Sequence, residues 1–190
     1  GTENVTIDDT TVTAAQANTI ANATTGVVTA TVAAATAATL NAALTDTTVN
    51  AYNLTVNGAT AAAADLNALD AKTKEVITVE ATKIEGTLAD LNKVFVDVVT
   101  STHFDVTATT KNVNITDKTV AANDVSKIGV AAGNAVVKAT VTADSAANLV
   151  EALKDTGENA LTLTVNGTTA TAANLTLLNA TTSVDVTVNA

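Results

Sequence analysis

One unit of the pattern that decides the fold lies between Leu54 and Leu69 and reads LTVNGATAAAADLNAL. Its first four residues alternate between apolar and polar, which is the pattern of a β-strand with one buried face. The Asn-Gly pair that follows tolerates the positive φ angles of a turn. Leu66 and Leu69 then stand three residues apart, so they share one face of a short helix. This stretch predicts a strand, a turn and a helix.

The same unit recurs along the chain. Seven strand segments follow each other at intervals of about 25 residues, with one longer interval, and such a period is typical of repeat architectures. Val184 and Val186 add an eighth strand of the same kind. The apolar pairs of the seven segments are Val5 and Ile7, Val28 and Ala30, Leu54 and Val56, Val79 and Ala81, Val113 and Ile115, Val137 and Ala139, and Leu163 and Val165.

Each helix follows a block of small residues, and a hydroxyl residue stands at the start of most of these blocks. A Thr or Ser side chain at that position accepts a free N–H group of the first helical turn. Helices this short are stable only when they are packed against the rest of the protein. We therefore expect short helices that begin after Thr13, Thr36, Thr87, Ser145 and Thr171.

The repeats predict an α/β fold with two layers. Successive strands would pair in parallel, each joined to the next by a crossover through its helix. The prediction is a two-layer repeat solenoid of about seven strand–short-helix units with one mainly parallel sheet, forming a single repeat domain over residues 1–190. Because no unit buries its apolar face alone, the stacking of units would provide the core.

An irregular, enlarged repeat falls around residues 95–112, within the longest interval between units. It contains both phenylalanines, Phe95 and Phe104, and the single histidine, His103. One interpretation is a longer helix or an extra strand in this repeat. Another is a hairpin between residues 104–109 and 112–116, which would make the sheet mixed at this point.

Composition excludes several classes of function. The formal net charge is −10 and every basic residue is Lys, which argues against binding to the phosphate backbone of nucleic acids. The chain has no Cys and one His, so it lacks a thiol nucleophile, a Cys-ligated zinc and a cluster of histidine ligands. No apolar run is long enough to span a membrane. We therefore expect no nucleic-acid partner, no membrane span, no cofactor and no metal site.

Candidate catalytic residues are few. A serine hydrolase site would combine His103 with a nearby serine, and no glycine pattern of a nucleophile elbow supports one. Asp8 and Asp9 are the only adjacent carboxylates, and they do not form the converging set of oxygens that calcium needs. The sequence therefore predicts that the chain is not an enzyme. The serines that such a site could use are Ser101, Ser126, Ser145 and Ser183. Ser145 is better explained as a helix cap.

Several motifs resemble those of a known class of repeat. Residues 62–70 (AAADLNALD) and 86–92 (GTLADLN), with the strand halves LTVNG at Leu54 and TLTVNG at Thr162, resemble Thr/Ala-rich repeat segments of very large secreted bacterial surface proteins, of the adhesin-like kind found in marine cyanobacteria. The resemblance implies an extracellular or cell-surface location and a structural or adhesive role. The glycine- and Asp-rich calcium nonapeptide of RTX proteins is absent, so the resemblance carries no calcium site with it.

The predicted function is that of a structural, non-catalytic building block of an extracellular filament, surface layer or giant adhesin. A stack of parallel strands leaves an unpaired strand edge at each end, and such edges pair with further strands. The partner would be a second copy, bound head to tail, or neighbouring repeats of the same parent chain. The residues assigned to these self-assembly edges are Val5, Ile7, Val184, Val186 and Val188.

An alternative is an ice-binding protein. Thr recurs at the outward positions of the strand segments, and a flat, regular array of Thr on a solenoid resembles an ice-binding surface. Glu80, Lys138 and Asp8 interrupt the same face, and Thr also favours strands because its β-carbon is branched. The residues of this alternative Thr face are Thr29, Thr31, Thr55, Thr82, Thr140 and Thr164.

Overall fold

The protein has a mixed α/β fold. The computed structural model describes residues 1–97, 103–107, 112–133, 135–154, 157 and 159–189, and seven helices lie within them. The helices are α1 (Ala14–Ala21), α2 (Ala37–Ala43), α3 (Ala63–Asp70), α4 (Leu88–Phe95), α5 (Ala122–Ala131), α6 (Ala146–Leu153) and α7 (Ala172–Thr181).

The strands are short and alternate with the helices. They are β1 (Val5–Thr6), β2 (Val28–Thr31), β3 (Ala51–Asn53), β4 (Thr55–Val56), β5 (Thr60–Ala62), β6 (Ile77–Val79), β7 (Lys83–Gly86), β8 (Phe104–Asp105), β9 (Asn112–Ile115), β10 (Val137–Thr140), β11 (Ala160–Thr162), β12 (Thr164–Asn166) and β13 (Thr187–Asn189).

Contacts divide the chain into two compact units. The first comprises Gly1–Ile84 and Asp97–Thr109, and the second comprises Glu85–Val96 and Thr110–Ala190. The single repeat domain expected over residues 1–190 stays a prediction. Of the enlarged repeat expected around residues 95–112, residues 98–102 and 108–111 lie outside the described residues.

Strands of the first unit pair in parallel. The order β1-β2-β3 forms one sheet, in which Val5 opposes Val28 and Ala30 opposes Tyr52. The order β4-β6-β8 forms another, in which Ile77 opposes Phe104. Strand β5 lies beside β7. Each strand therefore pairs with a strand from the next repeat along the chain, as the spacing predicts.

The second unit repeats this arrangement. Strands β11, β10 and β9 are neighbours, and β9 also lies beside β7. Val113 opposes Val137, and Ala139 opposes Leu161, both in parallel. Strands β12 and β13 form a separate parallel pair, in which Val165 opposes Val188.

The strands pair in parallel as expected, but the described strands form four sheets where a single sheet was expected. The reason lies at two buried leucines. Leu54 separates β3 from β4 and Leu163 separates β11 from β12, and both leucines are almost fully buried. Strand pairing is interrupted at each leucine, and the segments before and after it pair in different sheets.

The hairpin interpretation of the irregular repeat is also wrong for the described residues. Strand β8 takes β6 as its parallel partner. Strand β9 takes β10 as its parallel partner. Phe104 and Asp105 therefore supply an extra short strand, which is the first of the two interpretations of this repeat.

The core and the caps follow the sequence pattern. In β2 and β10 the residues alternate between buried and exposed, and the helices bury one face, as at Leu66 and Leu69 of α3. The turn glycine Gly58 has a φ of 102°, a value that favours glycine. The predicted N-caps are confirmed, since each hydroxyl accepts the backbone N–H three residues on: Thr13, Thr36, Thr87, Ser145 and Thr171.

Candidate interaction surfaces

A repeat longer than 25 residues relates the two units. Between Val28 and Ala81, 30 of the 54 residues are identical to the residue that stands 109 positions later. Alignment by the 25-residue period alone missed this duplication. The signal that finds it is the turn pair Asn57-Gly58, which recurs as Asn166-Gly167. Each surface of one unit can therefore be compared with its counterpart in the other.

Buried asparagines are one conserved feature of the duplication. Asn50 is fully buried, and its Oδ1 accepts the backbone N–H of Val28 at 2.8 Å. Its counterpart Asn159 is also buried, and its Oδ1 accepts the N–H of Val137 at 2.7 Å. Each amide joins one repeat to the preceding one, so the pair marks the same stacking contact in both units.

Buried threonines form a second matched pair. Thr73 Oγ1 accepts the N–H of Tyr52 at 3.0 Å and donates to the carbonyl of Tyr52 at 2.8 Å. Thr182 Oγ1 does the same with Leu161, at 2.9 Å and 2.7 Å. These two threonines and the two asparagines are the buried polar side chains of the described residues. Their hydrogen bonds join neighbouring repeats.

At the self-assembly edge predicted for β1, the backbone groups of Val5 and Ile7 face the neighbouring strand β2. The N–H groups of Val5 and Ile7 donate to the carbonyls of Val27 and Thr29, both at 2.9 Å. Successive residues of a strand direct their backbone groups to opposite sides. The outer edge is therefore provided by Thr6 and by the N–H of Asp8, while Val5 and Ile7 hold the strand in its sheet.

The self-assembly edge expected at β13 stays a prediction, and the geometry of that strand is as follows. Thr187 donates its N–H to the carbonyl of Leu163 at 3.0 Å, toward β12. The backbone groups of Val186 and Val188 therefore point away from β12. The side chain of Val188 is 44 % exposed and that of Val184 is 38 % exposed. Val184 differs, because its own N–H donates to Thr182 Oγ1 at 3.1 Å.

An open apolar groove lies beside β1 and α1. Its volume is about 300 Å³. Ile7 and Ile20 are only half-buried there, and Asp9 at its rim is exposed. The groove is lined by Ile7, Asp9, Val12, Gln16, Thr19 and Ile20. It combines an apolar floor with a carboxylate.

The structure does not bring the residues of the Thr face together on one sheet. Thr29 and Thr31 lie on β2 and Thr55 lies on β4, which belong to different sheets. Thr82 lies between β6 and β7, where its hydroxyl donates to the carbonyl of Ala59 at 3.2 Å. In the second unit, Thr140 lies on β10 and Thr164 on β12, again in different sheets.

The candidate catalytic residues are placed as follows. His103 Nδ1 lies 2.7 Å from Asp70 Oδ1, and the histidine side chain is 44 % exposed. Ser101 lies outside the described residues. Ser145 caps α6, and Ser183 donates to the carbonyl of Asn159 at 3.2 Å. In the ranges that the structure describes, no three His, Asp or Glu side chains gather to form a metal site.

Tyr52 is a buried residue whose pKa is clearly shifted. It is fully buried, and its hydroxyl donates to Asp46 Oδ2 at 3.4 Å. Burial raises the pKa of the Tyr52 phenol well above its usual range, and the charge of Asp46 and the hydrogen bond to it act in the same direction. The phenol is therefore a structural donor at neutral pH.

The described helices include none that is long and apolar enough to cross a membrane. No protein-family model matches the chain, and comparison with curated proteins and with solved structures gives no match. The evidence on function is therefore the geometry of the chain itself.

Proposed function

We propose that the chain is a structural, non-catalytic building block of an extracellular filament, surface layer or giant adhesin. In this proposal the stacked strand–helix repeats of each unit form a two-layer solenoid, and the outer edges of β1 and β13 join it to further repeats. The parallel pairing of successive repeats supports the solenoid. The exposed strand edges support assembly.

One observation carries the proposal, namely the contrast between β13 and its counterpart β6. Ile77 and Val79 of β6 are fully buried, and β6 has β8 on the side away from β4. The matching residues are Val186, which directly precedes β13 and is half-buried, and Val188 of β13, which is 44 % exposed. The same strand is thus covered in one unit and open in the other, so β13 fits a further parallel strand.

The surface charge is compatible with such assembly. A net charge of −10 on 190 residues keeps separate molecules soluble through mutual repulsion. The residues at the outer face of β13 are uncharged, since it presents Thr187, Val188 and Asn189. Like charges therefore do not oppose pairing along this strand.

Proline substitution tests the edge directly. The N–H of Val188 points away from β12, so Val188→Pro removes a donor that only an added strand would use. Val188→Ala keeps that N–H and serves as the matched control. We expect rods or filaments in electron micrographs, and fast-sedimenting species, for the unaltered chain and for Val188→Ala. We expect monomers for Val188→Pro. Monodisperse monomers of the unaltered chain at high concentration would contradict the proposal.

Ice binding remains the second candidate, favoured by directly opposed threonines. Thr6 opposes Thr29 on β1 and β2, and Thr164 opposes Thr187 on β12 and β13. A thermal-hysteresis assay on the unaltered chain and on a variant with Thr29→Tyr and Thr31→Tyr decides between the two functions. Hysteresis that is lost in the variant would favour ice binding.

A further inference from the structure

The groove beside α1 has a counterpart in the second unit. Residues 6–20 of the first unit correspond to residues 114–128 of the second unit, 108 positions later in the sequence. Four of the five matched pairs are identical, and the fifth pairs two polar residues. The matched pairs are Thr6 and Asn114, Ile7 and Ile115, Asp9 and Asp117, Val12 and Val120, and Ile20 and Ile128. The groove can therefore be compared with the same surface elsewhere in the chain.

In the second unit this surface is covered by the segment Glu85–Val96, which belongs to that unit. The N–H of Thr116 donates to the carbonyl of Gly86 at 2.9 Å. The carboxylate of Asp117 accepts the N–H of Leu88, the first residue of α4, at 2.6 Å. Helix α4 packs against α5. The segment Glu85–Val96 thus contacts the edge of the strand at Thr116, the carboxylate of Asp117 and one face of α5.

Covering changes the burial of the matched residues. Ile115 is 4 % exposed and Ile128 is fully buried, whereas Ile7 and Ile20 are half-buried. Among the described residues, nothing donates a hydrogen bond to the Asp9 carboxylate, and the backbone N–H of Asp8 has no acceptor. The surface around α1 therefore has groups that match those of its counterpart in the second unit, but no segment covers it among the described residues.

We propose that the α1 surface, formed by Thr6, Ile7, Asp9, Val12 and Ile20, binds a strand–helix segment of the same kind as Glu85–Val96, supplied by another copy of this repeat. The incoming strand would run parallel to β1 and accept the N–H of Asp8. Asp9 would accept an N–H at the start of the incoming helix, where a carboxylate is favoured by the helix dipole. The inference rests on the proposed function, since it names the partner of one assembly edge.

The chemistry of the segment fits the groove. Leu91 and Val94 are the buried apolar residues of α4, with Phe95 at its end, and they match the apolar floor of Ile7, Val12 and Ile20. Burial of such apolar side chains favours association. The carboxylate of Asp9 favours a partner that places the N-terminus of a helix beside it over a partner that offers only apolar side chains.

A fusion tests the inference. A second copy of Glu80–Ala108 placed directly before Gly1 puts its Gly86 at the same distance from Asp8 that separates Gly86 from Thr116. We expect amide exchange at Asp8 to slow by at least about tenfold, and the unfolding midpoint to rise. Leu91→Asp in the added copy, or Asp9→Ala in the parent, should remove the protection. Asp185→Ala, at an exposed carboxylate in the second unit, is the matched control and should not.

Two outcomes would overturn the inference. One is unchanged exchange at Asp8 in the fusion. The other is equal protection with Leu91→Asp, which would mean that the added chain acts regardless of its sequence. If the fusion does not fold, a synthetic peptide of residues 82–97 added to the unaltered chain must shift the NMR signals of Thr6, Asp8 and Ile20, and no shift refutes the inference. None of these readouts depends on filament formation, so the two proposals fail separately.

Discussion

Replacement of Thr73 by Val is expected to destabilise the protein strongly although it leaves no cavity. Thr73 is 2 % exposed, and Val has nearly the same shape. The substitution removes the hydroxyl that accepts the N–H of Tyr52 and donates to its carbonyl. It also removes the acceptor of the N–H of Glu75, at 3.1 Å. The substitution therefore leaves the backbone N–H and carbonyl of Tyr52 without hydrogen-bond partners.

The magnitude follows from the two buried groups. Tyr52 is fully buried, so water cannot replace the lost partners. Each unsatisfied buried group costs about 1–3 kcal/mol, and the added methyl group returns roughly 0.8 kcal/mol. The N–H of Glu75 reaches water, because that residue is half-buried. We expect a net loss of about 2–4 kcal/mol in the free energy of unfolding, or roughly 5–15 °C in Tm for a chain of this size.

The assay is urea denaturation followed by circular dichroism. Thr182→Val, at the duplicated position, should show a loss of the same size because its hydroxyl makes the same contacts with Leu161. Thr29→Val is the control, since Thr29 is exposed on β2, and should change stability by less than about 0.5 kcal/mol. Equal effects of Thr73→Val and Thr29→Val would refute the reasoning that buried hydroxyls hold the repeats together.

Three further predictions follow from other contacts. Asn159→Ala leaves the buried N–H of Val137 without its acceptor and should cost about 2–4 kcal/mol in urea denaturation; a cost below about 1 kcal/mol would contradict this. The pKa of Tyr52 is raised in the folded state. The contribution of Tyr52 to the free energy of unfolding is therefore fully present below the pKa of the unfolded chain, about 10, and is lost as the pH rises above that pKa, by up to about 1.4 kcal/mol per pH unit. Melting curves between pH 9 and 11.5 should show this loss, and Tyr52→Phe should flatten it; a parallel decline in both proteins would contradict the assignment. Asp117→Ala removes the acceptor of the Leu88 N–H and should lower Tm by an amount equivalent to about 0.5–2 kcal/mol, whereas Asp117→Asn should recover part of it; no difference between the two variants would show that the hydrogen bond contributes nothing.

Local patterns in the sequence predict the elements well. The alternation at Val28–Thr31 gives a strand with alternating burial, and Thr36 caps the helix that follows it. These features depend only on neighbouring residues, so one sequence is sufficient to find them. The parallel pairing of successive repeats also follows, because a strand–helix period of this length favours a crossover connection.

Features that depend on the path of the chain were harder to predict. The interruptions at Leu54 and Leu163, before and after which the strands pair in different sheets, leave no mark in the alternation because both leucines occupy regular apolar positions. The side of β1 on which each backbone group lies depends on which strand is its partner. The alternation alone therefore does not show that the backbone groups of Val5 and Ile7 face β2 while those of Thr6 face away from it. The hydrogen bond between His103 Nδ1 and Asp70 Oδ1 joins residues 33 positions apart, a distance that no local pattern spans.

The four buried polar side chains bear on how this chain folds correctly. Neighbouring repeats rich in Ala, Thr and Val are nearly interchangeable, so a misordered stack would bury almost as much apolar surface as the right one. Asn50 and Thr73 have matching donors and acceptors only when their own repeat lies against the intended neighbour. A slipped stack would bury them unsatisfied, at about 1–3 kcal/mol per group. In a protein built from similar repeats, these residues therefore specify the order in which the repeats stack.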